Sequence, residues 1–426
     1  MRYSLQDLET LPDHLIQNVL HQYSDCLDEQ ISHLPKRLHS LAVHGAFPSI
    51  RVESSLTLSC ENWALPSAVA VLKCFAQLPH SESLCIRHCP QLQNSEVSEF
   101  VAAIMKAVSA KPLKLSFSRL GGFVSNAVVR AFPANIESIR QLTMLNFESN
   151  DLENSGAEML AACLVNMSHL ETLVLEDNRI GDQGASAIAT GIKSLKKLKK
   201  LEIGGNDFAE PGARALSKSL SCTPQLQYLG LEAAGSYAAV EIVKELTSAE
   251  YLQSLKLKAN GLRDGAAKAL FRSTANLRNL QDLWLDFNRI KGEGAVALAE
   301  NLNTLNQLQT LGLGYNSIGD MGALALARTF SSLRELKDLS FEGNMIGPEG
   351  VVALARSLSF HRELVALRLE GNRIGTEGAI ALADALWSLE KMKTLEVGYS
   401  TVGMLGKDAL KQLKSHRTDL QFYVPR

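Results

Sequence analysis

Carboxylate side chains recur at one place of a repeated pattern along most of this chain. The recurrence falls at 28 residues or close to twice that number, and its members are Glu148, Glu176, Glu232, Asp286, Glu342 and Glu370. Such spacing places similar side chains next to one another when every repeat folds alike. A row of carboxylates attracts cationic groups and raises the rate at which a basic partner is encountered. The first chemistry that the sequence predicts is electrostatic recognition of a basic protein.

Aromatic residues interrupt this acidic row. Trp284, Phe287 and Tyr315 fall in two neighbouring repeats, and Tyr399 takes the corresponding place near the C-terminus. Aromatic side chains surrounded by charge are typical of the energetic centre of a protein interface. We therefore predict partner binding through these four aromatics and the six carboxylates. A plainer interpretation stays open, in which the carboxylates form a solvated face and the aromatics pack against neighbouring strands.

Short motifs of common catalytic sites are absent from the sequence. It contains no G-x-x-x-x-G-K-[ST] phosphate loop, no G-x-S-x-G nucleophile motif and no H-E-x-x-H zinc motif. His80, Cys85, His88 and Cys89 have the residue types of metal ligands, but Cys85 is expected on a strand and Cys89 at the turn place of a repeat. We expect no enzyme activity, no cofactor and no metal site.

The elements that position these side chains can be read from one repeat, Leu280–Leu308. Leu283 and Leu285 alternate as they would on a short strand, and Asn288 follows at the bend. The amide of Asn288 can both donate and accept, so it can satisfy the backbone groups that a turn leaves unpaired. The segment after the glycines has helical spacing around Leu298. A single strand–turn–helix cannot bury its apolar face, whereas stacked copies can.

Copies of this repeat run through most of the chain. Leading apolar residues occur at Leu142, Leu170, Leu198, Leu226, Leu252, Leu280, Leu308, Leu336, Leu364, Met392 and Leu420. Asparagine recurs at positions 150, 178, 206, 260, 288, 316, 344 and 372, with glycine six residues later in seven of these repeats. Two repeats depart from the pattern, because Ala234 and Ser400 occupy the asparagine place. We expect the row of asparagines to be interrupted at Ala234.

The consensus L-x-x-L-x-L-x-x-N-x-I-G-x-x-G-A-x-A-L-A-x-A-L resembles the leucine-rich repeat of the ribonuclease-inhibitor type. That family includes the sensor domains of nucleotide-binding immune receptors and the activator of the Ran GTPase. The match is close over residues 142–420 and loose over 53–141. The resemblance implies an α/β horseshoe-shaped solenoid with a parallel sheet on the concave face and helices on the convex face. It also implies that the acidic and aromatic residues face the concave surface.

The two ends of the chain differ from the repeats. Residues 1–37 have helical spacing and are expected to form an N-terminal cap. Within them, Leu11–Leu20 resembles the opening of an F-box. Residues 420–426 predict a strand that closes the C-terminal end of the sheet.

Two zones of repeats lie between these ends. Residues 38–141 hold degenerate repeats, and residues 142–419 hold ten regular ones. In the third degenerate repeat, Leu113 and Leu115 are expected to point inward, with Ser118 in the asparagine place. The long spacing to the next repeat predicts a bulge over Ser116–Ala134.

Composition narrows the functional class. The formal net charge is −2 and 21% of the residues are charged, so nothing points to nucleic acid or to a membrane surface. No apolar run is long enough for a membrane span, and the N-terminal residues are too polar for a cleavable signal peptide. Seven scattered cysteines favour a reducing compartment. We expect a monomeric cytoplasmic protein, with the cytosol of a host cell as the location if it is a secreted bacterial effector.

The function that these observations favour is non-catalytic binding of a basic protein partner. The family resemblance keeps two alternatives open. One is a GTPase activator that resembles the activator of Ran, and the other is an F-box-like adaptor of a ubiquitin ligase. A GTP hydrolysis assay would test the first, and binding of residues 1–40 to a Skp1-type adaptor would test the second.

Overall fold

The structure is a computed structural model, and it describes residues 55–59, 68–69, 72, 82–88, 92, 94–109, 112–246, 249–274, 276–359, 361–398 and 400–423. These residues form two compact units. The N-terminal unit contains the described residues up to Glu202 together with Asn206–Phe208. The C-terminal unit contains Ile203–Gly205 and the described residues from Ala209 onward.

The described part of the N-terminal unit has six parallel strands, each paired with the next along the chain. They are β1 (Ser55–Ser59), β2 (Ser83–Arg87), β3 (Lys114–Ser118), β4 (Met144–Asn146), β5 (Thr172–Val174) and β6 (Lys200–Glu202). The helices between them are α1 (Asn94–Val108), α2 (Gly122–Ala131), α3 (Ile136–Ile139), α4 (Glu153–Leu164) and α5 (Asp182–Ile192), with a 3-10 turn at Pro133–Asn135.

The described part of the C-terminal unit repeats this order with eight parallel strands. They are β7 (Tyr228–Gly230), β8 (Ser254–Lys256), β9 (Asp282–Trp284), β10 (Thr310–Gly312), β11 (Asp338–Ser340), β12 (Ala366–Arg368), β13 (Thr394–Glu396) and β14 (Gln421–Tyr423). Its helices are α6 (Glu210–Leu220), α7 (Ser236–Lys244), α8 (Arg263–Thr274), α9 (Gly292–Leu302), α10 (Gly319–Thr329), α11 (Pro348–Leu358), α12 (Gly375–Leu386) and α13 (Gly403–His416), with a 3-10 turn at Phe330–Ser332.

Alternation along each strand divides the core from an open surface. In β9 and the residue after it, Leu283 and Leu285 are fully buried, whereas Asp282 and Trp284 are half-buried. Helix α9 contributes the fully buried Leu302 to the same core. The core of each repeat therefore lies between strand and helix, and the other side of the sheet is here called the strand face. Both units have the predicted α/β solenoid architecture.

Buried asparagines connect successive repeats, as the Asn288 amide shows. Its Nδ2 donates to the carbonyl of Leu257 in the preceding repeat (2.7 Å) and to that of Leu285 in its own (2.9 Å). Its Oδ1 accepts from the N–H groups of Asn260 (2.9 Å) and Leu262 (3.4 Å). The asparagine thus satisfies the carbonyl of Leu257 and the N–H groups of Asn260 and Leu262, which the bends leave unpaired.

The row of asparagines is interrupted where the sequence predicts it. Among the described residues, no group donates a hydrogen bond to Oδ1 of Asn260. The repeat before it is short and carries Ala234 in the asparagine place, so the usual pair of N–H groups is not presented. At the other end of the unit, the Ser400 hydroxyl accepts from the N–H of Asn372 (3.2 Å) and keeps the connection.

A second row of polar side chains, on the helix side, explains the recurrent glycine. The Asp320 Oδ1 accepts from the N–H groups of Gly347 and Gly350, both at 2.8 Å, and so caps the helix of the next repeat. The Asp264 Oδ1 does the same for Lys291 and Gly294. A Cβ at position 350 would lie 2.6 Å from the capping oxygen. The glycine is required because the preceding repeat fills the space of a side chain.

Replacing Gly350 with alanine is therefore expected to destabilise the C-terminal unit by about 1–3 kcal/mol, since the added methyl group displaces the cap. The matched control is Gly265→Ala. Gly265 is also helical, but a Cβ there meets nothing within 4 Å, so helix propensity favours the alanine. Urea denaturation of the two variants measures the difference. Equal stabilities would contradict the steric explanation.

One expected register in the N-terminal unit is wrong. The inward pair of the third degenerate repeat is Leu115 and Phe117, both fully buried, whereas Leu113 is 42% exposed. Leu115 pairs with Leu145, so the asparagine place falls on Leu120 and not on Ser118. The N–H of Leu120 donates to the Asn150 amide (2.9 Å). Alternate leucines around Leu113 fit both registers, and only the neighbouring strand decides between them.

Several predictions for the ends stay untested. The N-terminal cap over 1–37 and the F-box-like segment Leu11–Leu20 lie outside the described residues. The boundaries at 37, 141 and 419 stay predictions, and β14 lies within the segment 420–426. Across the described ranges, no helix combines the length and the apolarity that a membrane crossing needs.

Candidate functional site

The predicted carboxylates lie at equivalent places in the two units. Glu148 and Glu176 follow β4 and β5 in the N-terminal unit, and both are half-buried. In the C-terminal unit, the carboxylates follow β7, β9, β11 and β12, and are Glu232, Asp286, Glu342 and Glu370. The predicted residue Tyr399 lies outside the described residues. The structure therefore divides the predicted set, and its densest part is in the C-terminal unit.

The strand face of the C-terminal unit carries cations as well as carboxylates. Over β8–β13, the first and third residues of each strand and the second residue after it hold six carboxylates and three cations. The carboxylates are Asp282, Asp286, Asp338, Glu342, Glu370 and Glu396, and the cations are Lys256, Lys258 and Arg368. The excess is acidic, but the cations lie among the carboxylates. This surface is a network of ion pairs with a net negative charge and not a uniform acidic stripe.

Arg368 joins three of these carboxylates. Its Nη1 donates to the Asp338 Oδ1 on the adjacent strand at 2.5 Å. Its Nε lies 3.5 Å from the Glu396 Oε2 and 3.9 Å from the Glu342 Oε1. The guanidinium therefore bridges β11, β12 and β13. Its rigid fork of donors holds the carboxylates in fixed positions.

Crowding of like charges affects the protonation of this network. Burial raises the pKa of Glu342, the nearby Glu396 raises it further, and Arg368 lowers it in part. The pKa of the Arg368 guanidinium is raised: burial opposes the charge, but the hydrogen bond and charge of Asp338 outweigh it. One cation thus compensates several carboxylates incompletely, and the network keeps a net negative charge.

An exposed aromatic stack borders the charged network. The rings of Phe287 and Tyr315 lie parallel, with centroids 4.4 Å apart and an angle of 6° between their planes. Phe287 is 54% exposed and Tyr315 is 49% exposed. The Tyr315 ring also covers Gly343, where a Cβ would lie 3.0 Å from its Cδ1. Partial burial and then the charges of Glu342 and Glu370 raise the pKa of the Tyr315 hydroxyl.

Trp284 is the last residue of β9, and Asp286 immediately precedes Phe287 of the stack. The Asp286 carboxylate accepts from the N–H of Gly314 at 3.0 Å, and the residue is only 7% exposed. The Lys258 Nζ lies 4.2 Å from the centroid of the Trp284 ring. The structure therefore stacks Phe287 on Tyr315 and places Trp284 close to Asp286 over Gly312. That these four residues act as one binding site stays a prediction.

The sequence interpretation missed two kinds of residue at this site. Arg368 and Lys256 occupy the same strand place as Trp284, so reading that place through every repeat would have found them. Gly312 and Gly314 were not predicted as site residues because glycine has no side chain with a functional group. Their contribution is the space that neighbouring side chains occupy, which only the packing shows.

Stacked strand–turn–helix repeats with a ladder of buried asparagines define a class, the α/β repeat solenoids. A protein-family model described as "Leucine Rich repeat" matches residues 140–161, 166–189, 194–217, 276–299, 304–327, 333–355 and 362–383. The chain belongs to the leucine-rich-repeat family. The ribonuclease-inhibitor subtype stays a prediction. A comparison with curated protein sequences found no match.

Solved structures with the same type of fold share little sequence with this chain. A chain in the Rad7–Elc1 complex of yeast is 14% identical, with a TM-score of 0.51, and the match covers 98% of this chain and 88% of that one. An internalin (inlF) of Listeria monocytogenes is 19% identical, with a TM-score of 0.41 and coverages of 67% and 81%. TLR13 in its complex with ssRNA13 is 17% identical, with a TM-score of 0.47 and coverages of 76% and 44%. The likeness to the yeast complex shows the fold alone.

Proposed function

We propose that this protein is a non-catalytic scaffold that binds a basic protein partner on the strand face of its C-terminal unit. The binding surface consists of the aromatic stack, Trp284 and the carboxylates around Arg368. Glu232 extends the acidic character within the same unit and is part of this proposal. Glu148 and Glu176 lie in the N-terminal unit, and partner binding by them is proposed separately.

The observation that carries this proposal is the exposed Phe287–Tyr315 stack. Two rigid rings that remain about half exposed present a large apolar surface to water. A partner that covers the rings would remove this surface from water. Because the rings already stack on each other, little side-chain entropy is lost when a partner covers them. Pre-organised aromatics of this kind are frequent at the centre of protein interfaces.

The surrounding charge supports a basic partner. At the first and third residues of β8–β13 and the second residue after each strand, six carboxylates against three cations leave a net negative charge. The field of such a charge speeds the approach of a positively charged surface and repels the phosphates of nucleic acids. The proposal therefore places a protein, and not RNA or DNA, on this surface.

A reducing compartment suits the cysteines that the structure describes. Cys85, Cys163 and Cys222 are free thiols. Burial raises the pKa of the Cys163 thiol, which keeps it in the unreactive protonated form. These thiols support the cytoplasmic location that we propose, and we propose separately that the protein is a monomer.

Affinity capture tests the proposal. The immobilised full chain is incubated with a eukaryotic lysate at about 50 mM and about 300 mM salt, which changes the screening of surface charge. Bound proteins are quantified by mass spectrometry for the wild type and for Phe287→Ala/Tyr315→Ala. We expect a basic protein to bind at low salt and to be reduced at least about tenfold in the variant, as for an interface hot spot.

The matched control removes one Phe and one Tyr elsewhere. Phe123 and Tyr251 are each 58% exposed and lie outside the strand face, so Phe123→Ala/Tyr251→Ala should retain the partner. Thermal unfolding checks that both variants fold. If all three proteins capture the same partners equally, binding occurs elsewhere and the proposal is wrong.

A further inference from the structure

One oxygen of the strand face is buried without a hydrogen bond. The Asp286 Oδ1 accepts from the Gly314 N–H, but no described residue donates a hydrogen bond to Oδ2. Buried carboxylate oxygens in folded proteins nearly always have a donor, because an unpaired one loses its hydration without compensation. Burial accordingly raises the pKa of Asp286, and Lys258 only partly offsets it. The oxygen is an unpaired hydrogen-bond acceptor that a donor from outside could reach only after a neighbouring side chain moves.

Two glycines of the next strand create the space for this carboxylate and for an aromatic ring. A Cβ at Gly312 would lie 2.6 Å from the Asp286 Oδ2 and 2.6 Å from the Trp284 Cε3. A Cβ at Gly314 would lie 2.9 Å from the Asp286 Oδ1. The ring and the carboxylate therefore lie close together over backbone that carries no side chain. Their arrangement combines an aromatic face with an anion, which is the combination that binds organic cations.

A cation of the protein itself already lies at this place. The Lys258 Nζ is 4.2 Å from the centroid of the Trp284 ring and 3.9 Å from the Asp286 Oδ2. The second distance is too long for a hydrogen bond. The Lys258 side chain is 35% exposed, and its flexible stem lets the ammonium move into solvent. Lys258 therefore offsets the negative charge of Asp286 without donating a hydrogen bond to its Oδ2.

We propose that Trp284 and Asp286 form a subsite for an arginine side chain of the partner and that Lys258 is its internal competitor. This inference rests on the proposed function and specifies its chemistry. The arriving guanidinium stacks on the Trp284 ring and donates an N–H to the Asp286 Oδ2, while the Lys258 ammonium moves out. The 3.9 Å contact between Lys258 and Asp286 is thereby replaced by a hydrogen bond from the partner's guanidinium to the Asp286 Oδ2.

Arginine suits this subsite better than lysine. A planar guanidinium can lie against an indole and donate in its own plane to an adjacent carboxylate. The Lys258 ammonium already lies over the Trp284 ring, and from that position it does not reach hydrogen-bond distance of the Asp286 Oδ2. A lysine from the partner would repeat that arrangement and gain little by displacing it.

Titration calorimetry with a hexa-arginine peptide tests the assignment at low ionic strength, with hexa-lysine as the second probe. The variants Lys258→Gln and Asp286→Asn act in opposite directions. Without its competitor, the subsite should bind hexa-arginine about fivefold more tightly, and without its carboxylate about fivefold more weakly. Asp286→Asn keeps the shape and an oxygen for the Gly314 N–H, so the fold is retained.

Charge-matched controls separate the subsite from the general field. Lys256→Gln removes a neighbouring cation that lies over Tyr228, 5.2 Å from that ring, and Asp384→Asn removes an exposed carboxylate of α12. Each control should change the affinity less than its partner variant. The proposal of a subsite is wrong if Lys258→Gln changes the affinity for hexa-arginine no more than Lys256→Gln does, and Asp286→Asn no more than Asp384→Asn does. That outcome would leave the proposal of an acidic binding surface unaffected.

The two peptides complete the test. Equal affinities and equal responses of hexa-arginine and hexa-lysine would overturn the assignment to arginine. If neither peptide binds the wild type or Lys258→Gln, the subsite is wrong. The proposed function is tested separately by the affinity capture. If the lysate partner is captured by the wild type and lost in Phe287→Ala/Tyr315→Ala, the proposed function holds even when the arginine subsite is wrong.

Discussion

Replacing Asn288 with alanine is expected to lower the free energy of unfolding of the C-terminal unit by about 3–5 kcal/mol. The substitution leaves the carbonyl of Leu257 and the N–H groups of Asn260 and Leu262 without their partner, whereas the carbonyl of Leu285 still accepts from the Asn316 Nδ2 at 3.0 Å. Each buried unpaired group costs about 1–3 kcal/mol, and partial repair by water lowers the sum. Because the bend is fully buried, little water can reach it.

Urea denaturation measures the loss, and hydrogen exchange locates it. The N–H groups of Asn260 and Leu262 should lose protection first, since both donate to the Asn288 Oδ1. The control is Asn301→Ala on α9, whose amide donates only to the Ala297 carbonyl one turn earlier. Alanine favours that helix, so the control should cost little. A loss in Asn288→Ala as small as in Asn301→Ala would contradict the structural role of the ladder.

The fold could be predicted from the sequence because each repeat encodes the same packing problem. The alternation of Leu283 and Leu285, the amide of Asn288 and the helical spacing around Leu298 each agree with the others, and the copies confirm the register. Where copies diverge, this support is lost. Leu113 and Leu115 fit two registers, and contact with β4 selects the one that buries Phe117.

The site could be predicted only in part, because its properties arise between repeats. The sequence placed Trp284, Phe287 and Tyr315 together, but the parallel stacking of the two rings depends on the backbone at their shared place. Both residues have positive φ angles, 59° and 54°, in the left-handed region. The burial of Asp286 depends on Gly312 in the next repeat. The pattern of residue types indicates which residues can belong to a site. Packing between neighbouring repeats, 28 residues apart in sequence, determines how exposed and how charged those residues are.

The second large effect is expected from Arg368→Gln. The substitution leaves Asp338, Glu342 and Glu396 without their common cation, so the free energy of unfolding at pH 7 should fall by about 2 kcal/mol. This value lies between those of exposed and of fully buried ion pairs, because the Arg368 side chain is 29% exposed. Urea denaturation at several pH values measures it. The exposed control Arg214→Gln, whose side chain is 56% exposed, should change stability little.

The pH dependence distinguishes loss of charge from loss of packing. The raised pKa of Glu342 means that the folded state holds this proton more tightly than the unfolded state. Stability therefore falls as pH rises from the ordinary carboxyl range through the raised pKa. Arg368 lowers the pKa of Glu342, so its removal widens this interval and steepens the fall. The difference between wild type and Arg368→Gln should be small near about pH 4 and largest near about pH 7. A difference that does not change with pH would assign the loss to packing of the Arg368 stem, and the strand face would then owe its order to shape and not to the charge that we propose attracts a basic partner.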